Sequence, residues 1–369
     1  GPIDGGDYKK IERALTEAKR TGKTVVVHVN TQKGKGYLPA EKSPDGYHSL
    51  GTPARDKTFH SVFADELISL AGTDEKIVAI TAAMGIGTGL DAFGEKFPER
   101  YFDVGIAEEH ALTFSAGLAA NGYLPFAAIY STFLQRGYDN ILHDIALQSL
   151  PVNLIIDRAG LSLGDGATHH GIFDVAFLSH IPGVTLYAPA TYESLGRAVR
   201  LAKETGSPVA IRYSNSSEVD FSGMEFHRIS DGALISFEES APPSKIIITY
   251  GKIAEKCIKA RDICLSKGCD VGIILVEKIK PYLPVAELIL PLISSAERVI
   301  YVEEGIKNGG AAMIFADTIR TLGISVDSVG FDILAIDDSF ASPEYECDLY
   351  DYVGLSPEKI AEKILYYDN

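Results

Sequence analysis

The sequence has no apolar run of about 18 residues, and this excludes a membrane-spanning helix. Its opening segment, Gly1 to Lys10, has no apolar stretch of the kind that directs secretion, so no signal peptide is expected. Cysteine is scarce. Cys257, Cys264, Cys269 and Cys347 form no C-x-x-C pair, which argues against a zinc site. They are expected to be reduced, structural thiols of a cytoplasmic protein. Positive charge is also short: 34 Lys and Arg stand against 50 Asp and Glu, a net charge of −16. Nothing offsets phosphate repulsion, so nucleic acid is excluded as a partner. Gly34-Lys35-Gly36 lacks the spacing and the Ser or Thr of a nucleotide-binding P-loop.

What is present is ordinary globular composition, 46% hydrophobic and 23% charged over 369 residues. That length suits two domains and part of a third. Acidity gathers at the end: residues 331–369 hold ten acidic residues against two lysines, read as a solvated face. Near the start, Asp7 can cap a helix whose Ile11, Leu15 and Ala18 share one side. Residues 23–30 read as a buried strand. A helix and a strand alone cannot bury their apolar faces, so residues 1–56 are expected to be the tail of a domain whose body lies elsewhere.

Residues 57–225 then alternate. Helices are predicted at 59–71, 107–120, 132–148 and 191–204, with strands at 77–82, 125–130, 152–156, 185–187 and 208–213. Such alternation predicts a parallel sheet covered on both faces. Residues 217–245 read as linker. A second alternation, in a domain spanning 226–369, places strands at 246–250, 270–276, 298–302 and 324–328. Its helices are expected at 252–267, 285–294, 309–322 and 356–366.

Eight of nine histidines precede residue 181, so chemistry near neutral pH is expected in the first of these domains. Three segments there concentrate unusual residues. In Tyr101 to His110 a strand ends at glycine and a helix opens with Glu108 and Glu109, which either face a ligand crevice or only complement the helix dipole. In Ile129 to Asp139, Tyr130, Phe133 and Arg136 either share a pocket or pack as helix core. The third segment, Asp157 to Gly171, combines an arginine, two aspartates, adjacent His169 and His170, and four glycines. A loop of that length inside a compact domain points to function.

Taken together, these segments resemble the deoxyxylulose-phosphate synthase family of transketolase-like enzymes. The likeness runs through GPIDGGD (1–7), TQKGKGYLPAEK (31–42), TAAMGIGTGL (81–90) and FPERYFDVGIAEEHALTFSAGLA (97–119). It continues in AIYSTFLQRGYDNILHDIALQSLPV (128–152) and DRAGLSLGDGATHHGIFD (157–174), and more loosely in VEEGIKNGG (302–310). The resemblance implies an α/β fold. A parallel-sheet domain binding the pyrimidine of thiamine diphosphate would be followed by a transketolase C-terminal-like domain. Most of the domain that binds the diphosphate and Mg²⁺ would lie outside this sequence, on a removed segment or a separate chain. Gly164-Asp165-Gly166 is not that domain's metal motif, because residues 188–196 lack the asparagine it requires. No metal ligand is assigned.

The resemblance further implies a carboligation in which pyruvate loses CO₂ and joins glyceraldehyde 3-phosphate, giving 1-deoxy-D-xylulose 5-phosphate. Glu108 matches the carboxylate that hydrogen-bonds the aminopyrimidine, and Phe133 the aromatic that stacks on it. His169 matches a proton-transfer histidine. Tyr130, Arg158 and Asp165 match acceptor-binding positions, and Arg136 an arginine of the same pocket. A homodimer is expected, with helix 107–120 as a candidate interface. The chain without a diphosphate-binding domain is expected to be inactive.

Three departures stand out. Gly6 replaces a family histidine, and Asn215 replaces an arginine that binds acceptor phosphate. A His-Gly turn of the family has no counterpart near Phe340. These changes fit an altered acceptor or a non-catalytic relative. A split transketolase or a 2-oxo-acid dehydrogenase β-like subunit is the other enzymatic alternative.

Overall fold

The computed structural model describes residues 1–42, 57–164, 166–221, 223–343 and 347–365. The chain divides into two compact units, Gly1–Ala54 and Arg55–Asn369. In the first unit, strands β1 (Ile3–Asp4) and β2 (Val29–Asn30) pair in parallel. Between them runs a helix, Tyr8–Arg20, capped as expected by the Asp7 side chain on Lys10 N–H. The strand expected over residues 23–30 shrinks to its last two residues, and Val26 is 91% exposed. A two-residue ladder offers no sheet surface against which alternate valines could be buried.

The second unit holds two sheets. Its strands are β3 (Ile77–Thr81), β4 (Tyr101–Asp103), β5 (Leu124–Tyr130), β6 (Asn153–Asp157), β7 (Thr185–Tyr187), β8 (Val209–Arg212), β9 (His227–Ser230), β10 (Ala233–Ile235), β11 (Lys245–Thr249), β12 (Gly272–Val276), β13 (Lys278–Lys280), β14 (Arg298–Ile306) and β15 (Phe331–Ile336). One sheet runs β13-β7-β8-β6-β5-β3-β4, parallel except for β13. The other runs β15-β14-β11-β12-β10-β9, with its first four strands parallel and the last two antiparallel. This is the α/β architecture expected from the alternation.

Strand periodicity explains the layering. Ile77 and Ala79 face one way and pack with Phe59, Phe63 and Leu67 of helix Phe59–Ala71. Val78 and Ile80 face the other way, toward Ala111 and Leu112 of helix Glu108–Ala120. The same cluster takes in Ile246, Ile248, Ile274 and Tyr301, so one apolar core joins the two sheets. On the far side, Ile247, Ile273 and Ile300 meet helices Ala254–Ser266 and Pro357–Leu365. Strands buried on both faces read as continuous apolar runs.

Three more sequence expectations are corrected. The segment read as linker, 217–245, contains the β9–β10 hairpin, which pairs with β12. The helix expected over 132–148 breaks into short turns ending in a π-helical stretch, Ile141–Ala146. Gly137 sits in that segment where a Cβ would strike Leu112, so the chain comes unusually close to the neighbouring helix there. Residues 326–329 form a 3₁₀ turn, and the strand expected at 324–328 instead begins at Phe331, in register with Val299 of β14. Among the described residues no helix is long and apolar enough to cross a membrane. All four cysteines are free, and burial pushes the Cys257 thiol up to about 12, in keeping with a structural role.

Candidate active site

The carboxyl ends of β3, β4, β5, β6 and β8 open toward one region, where an open parallel sheet places ligands. Helix Glu108–Ala120 starts there without a side-chain cap at Ala107. Glu108 occupies its first position with only 2% of its surface exposed. The exposed helix dipole favours a carboxylate at this place. Arg136 donates to Glu108 Oε1 at 2.6 Å.

From Arg136 the contacts run on. Its guanidinium lies 4.9 Å from the Phe133 ring centroid. Phe133 stacks with Tyr130 at 5.8 Å, and the His169 ring meets Phe133 edge-on at 5.6 Å. Arg158 lies over the Tyr130 ring at 3.7 Å. The structure therefore brings Glu108, Arg136, Phe133, Tyr130, Arg158 and His169 into one continuous cluster. Asn215 is exposed, three positions past the end of β8. Asp165 lies outside the described residues.

Backbone geometry holds this cluster in place. Arg158 adopts φ +58°, unusual for a residue with a Cβ. Its Nη1 donates to Gly87 O at 3.0 Å and to Asp157 Oδ1 at 3.1 Å, which pins the side chain against Tyr130. A Cβ at Gly87 would fall on the Tyr130 hydroxyl, so this one glycine of TAAMGIGTGL makes room for that ring. Asp157 itself is fully buried, and burial pushes its carboxyl up to about 7 against the pull of Arg158.

Several residues that support the site were not singled out in the sequence. Arg212, at the end of β8, is buried and donates to Asp174 Oδ2 at 3.0 Å, with its guanidinium 5.3 Å from the Tyr250 ring. Tyr250 in turn donates to buried Glu303 at 2.8 Å. Glu303 also accepts from Ala311 and Ala312 N–H at the start of helix Ala311–Thr321, and burial raises its carboxyl to about 7. These residues lie up to 138 positions apart in sequence, so no local motif announces them. Among the described residues no group of three or more His, Cys, Asp or Glu could hold a metal ion.

Two family profiles match. "Transketolase, pyrimidine binding domain" covers residues 56–218, and "Transketolase, C-terminal domain" covers residues 241–360. The chain is 38% identical to the 1-deoxy-D-xylulose-5-phosphate synthase of Clostridium perfringens (strain ATCC 13124) over 99% of its own length and 60% of that protein's. The synthase of Lachnoclostridium phytofermentans is 39% identical, over 99% of this chain and 59% of that protein. The chain thus spans about three fifths of the length of these curated relatives. Among solved structures, a split-gene transketolase described as an inactive beta4 tetramer superposes with a TM-score of 0.67 at 24% identity, covering 83% of this chain and 96% of that one. Transketolase from Campylobacter jejuni gives the same TM-score at 18% identity, covering 95% of this chain and 52% of that one.

Proposed function

From the premise that this chain belongs to the transketolase family, we propose that its cluster at the sheet ends is the pyrimidine-side half of a thiamine-diphosphate site. On this reading residues 57–225 and 226–369 are the pyrimidine-binding and C-terminal domains, and residues 1–56 belong with a diphosphate-binding domain. The observation that carries the proposal is Glu108: a carboxylate buried at a helix N-terminus, within one arginine of a half-buried aromatic ring. That donor set suits a flat heteroaromatic ring with a ring nitrogen to be hydrogen-bonded.

Thiamine diphosphate, when bound, supplies the carbon nucleophile and the electron sink for decarboxylation. The protein's share is binding, orientation and proton handling. Glu108 would hold the aminopyrimidine by a hydrogen bond at a ring nitrogen, and Phe133 would stack on its face. Arg136 ties the two together. Arg158 and Tyr130 would take the phosphate of the acceptor, a task for which the planar guanidinium is suited. Asp165 would accept from an acceptor hydroxyl, and His169, against the Phe133 ring, would move a proton to or from the reacting oxygen. At Asn215 a neutral amide stands where the family expects a second phosphate-binding arginine, so weaker acceptor binding is expected.

The reaction proposed is condensation of pyruvate with glyceraldehyde 3-phosphate to 1-deoxy-D-xylulose 5-phosphate, with loss of CO₂, in precursor synthesis for isoprenoids. The diphosphate and its Mg²⁺ are assigned to the diphosphate-binding domain, without which turnover is not expected. A cytoplasmic homodimer completes the reading. The test is turnover of enzyme reconstituted from this chain and a diphosphate-binding domain. Glu108→Ala is expected to lower carboligation by at least about 100-fold. Unchanged turnover in that variant would refute the assignment.

A further inference from the structure

The loop that carries His169 closes on itself at a narrow neck. Gly160 and Gly171 exchange both backbone hydrogen bonds, each at 2.8 Å. From the other sheet, β14 delivers Glu304 to this neck. Its Oε1 accepts from Leu161 N–H at 2.7 Å and from the Tyr350 hydroxyl at 2.9 Å. Glu304 is 5% exposed. The approach is so close that a Cβ on Gly160, whose φ is +89°, would meet the Glu304 carboxyl carbon at 2.7 Å. A second tie lies one turn away: His170 donates from Nε2 to Ala341 O at 2.9 Å.

We propose that Glu304 is a positioning residue that fixes the neck of the His169 loop from the C-terminal half of the unit. The carboxylate acts through the Leu161 amide, and the two hydrogen bonds it accepts come from Leu161 and Tyr350, neither of them a cluster residue. A buried N–H left without an acceptor is costly, so Leu161 has a strong preference for the one conformation that reaches Glu304. That conformation sets the direction in which the loop leaves β6 and returns at Gly171. The orientation of His169 against Phe133 therefore depends on a side chain 135 positions further along the sequence. The role in catalysis rests on the functional reading above; the mechanical role does not.

Amide hydrogen exchange on the full chain, followed by mass spectrometry, tests this without using turnover. Glu304→Ala is expected to speed exchange at least tenfold in peptides covering Ala159–Ser162 and Thr168–Ile172, with β6 unchanged. Glu304→Gln keeps an oxygen for Leu161 N–H and is expected to stay within twofold of the parent. In carbon-13 spectra of the histidine-labelled chain, the His169 ring signal should move in Glu304→Ala and return in Glu304→Gln. Parental exchange at the neck in Glu304→Ala overturns the proposal, as does equal loss of protection in both variants or a His169 signal that does not respond. If Glu304→Ala also loosens β6, Tyr350→Phe replaces it, since this removes only the second partner of Glu304. Acceleration confined to the neck then supports the proposal, and none overturns it. Failure here leaves the Glu108 result standing, and failure there leaves this one.

Discussion

The guanidinium of Arg136 bonds the buried carboxylate of Glu108 at 2.6 Å while lying 4.9 Å from the Phe133 ring. One side chain therefore ties a helix N-terminus to an aromatic ring carried on the segment after β5. The Arg136 side chain remains 46% exposed, so water screens part of the pairing.

Removing that guanidinium leaves Glu108 buried without its cation. Arg136→Ala should destabilise the fold by about 1–2 kcal/mol, the lower part of the range for hydrogen bonds to charged groups, because Arg136 is half exposed. Arg136→Lys should recover only part of this, since an ammonium has no planar face to lay on Phe133. Urea unfolding at neutral pH reads both values. A parental midpoint in Arg136→Ala would show that the pair contributes nothing.

Asp157 predicts a pH dependence of definite sign. Its carboxyl is raised to about 7, chiefly by burial, from an ordinary value of 3.8. Between those values the folded state keeps a proton that the unfolded chain has released. The contribution of this group to stability therefore falls as pH rises through that window and is level outside it. Asp157→Asn removes the effect. Measured by urea unfolding, the variant should gain on the order of 1 kcal/mol or more relative to the parent between about pH 4.5 and pH 7.5. A stability difference that is the same at both pH values would sink this account.

How much of this was legible beforehand follows from the range of the interactions. Strands such as Ile77–Thr81 and Asn153–Asp157 could be read directly, because burial on both faces leaves an unbroken apolar run bounded by turns. Helix Glu108–Ala120 and the cluster residues Tyr130, Phe133 and Arg136 lie in segments whose composition departs from plain core packing. The β9–β10 hairpin escaped notice because it is short and only half buried, so it carries little apolar signal. Arg212 with Asp174, and Glu304 with Leu161, could not be read at all. Each pair is a buried polar contact closed by tertiary structure, and no periodicity or local motif records which acceptor a distant donor will find.

His169 and His170 are adjacent, and the structure gives them opposite employment. His170 is buried; its Nδ1 accepts from Ser162 N–H at 3.0 Å, which leaves the proton on Nε2 for Ala341 O at 2.9 Å. Burial lowers its pKa, so the neutral ring is the form that folds. Its contribution is then complete above the ordinary value of 6.5 and is lost as pH falls, because protonation would strip Ser162 of its acceptor. His170→Phe should cost about 2–4 kcal/mol by orphaning both backbone partners, and the penalty should shrink as pH falls below the ordinary value of 6.5 and the protonated parent loses its bond from Ser162 N–H. His169 is half buried, and its ring rests on Phe133 beside the Thr168 hydroxyl. His169→Asn should change stability by less than about 0.5 kcal/mol and, in the reconstituted enzyme, abolish most carboligation. Denaturant midpoints for both variants, set beside turnover for His169→Asn, separate the two roles. If His169→Asn proved the destabilising change and His170→Phe the neutral one, the loop would have to sit the other way round, with His170 facing the cluster and His169 bound to Ala341.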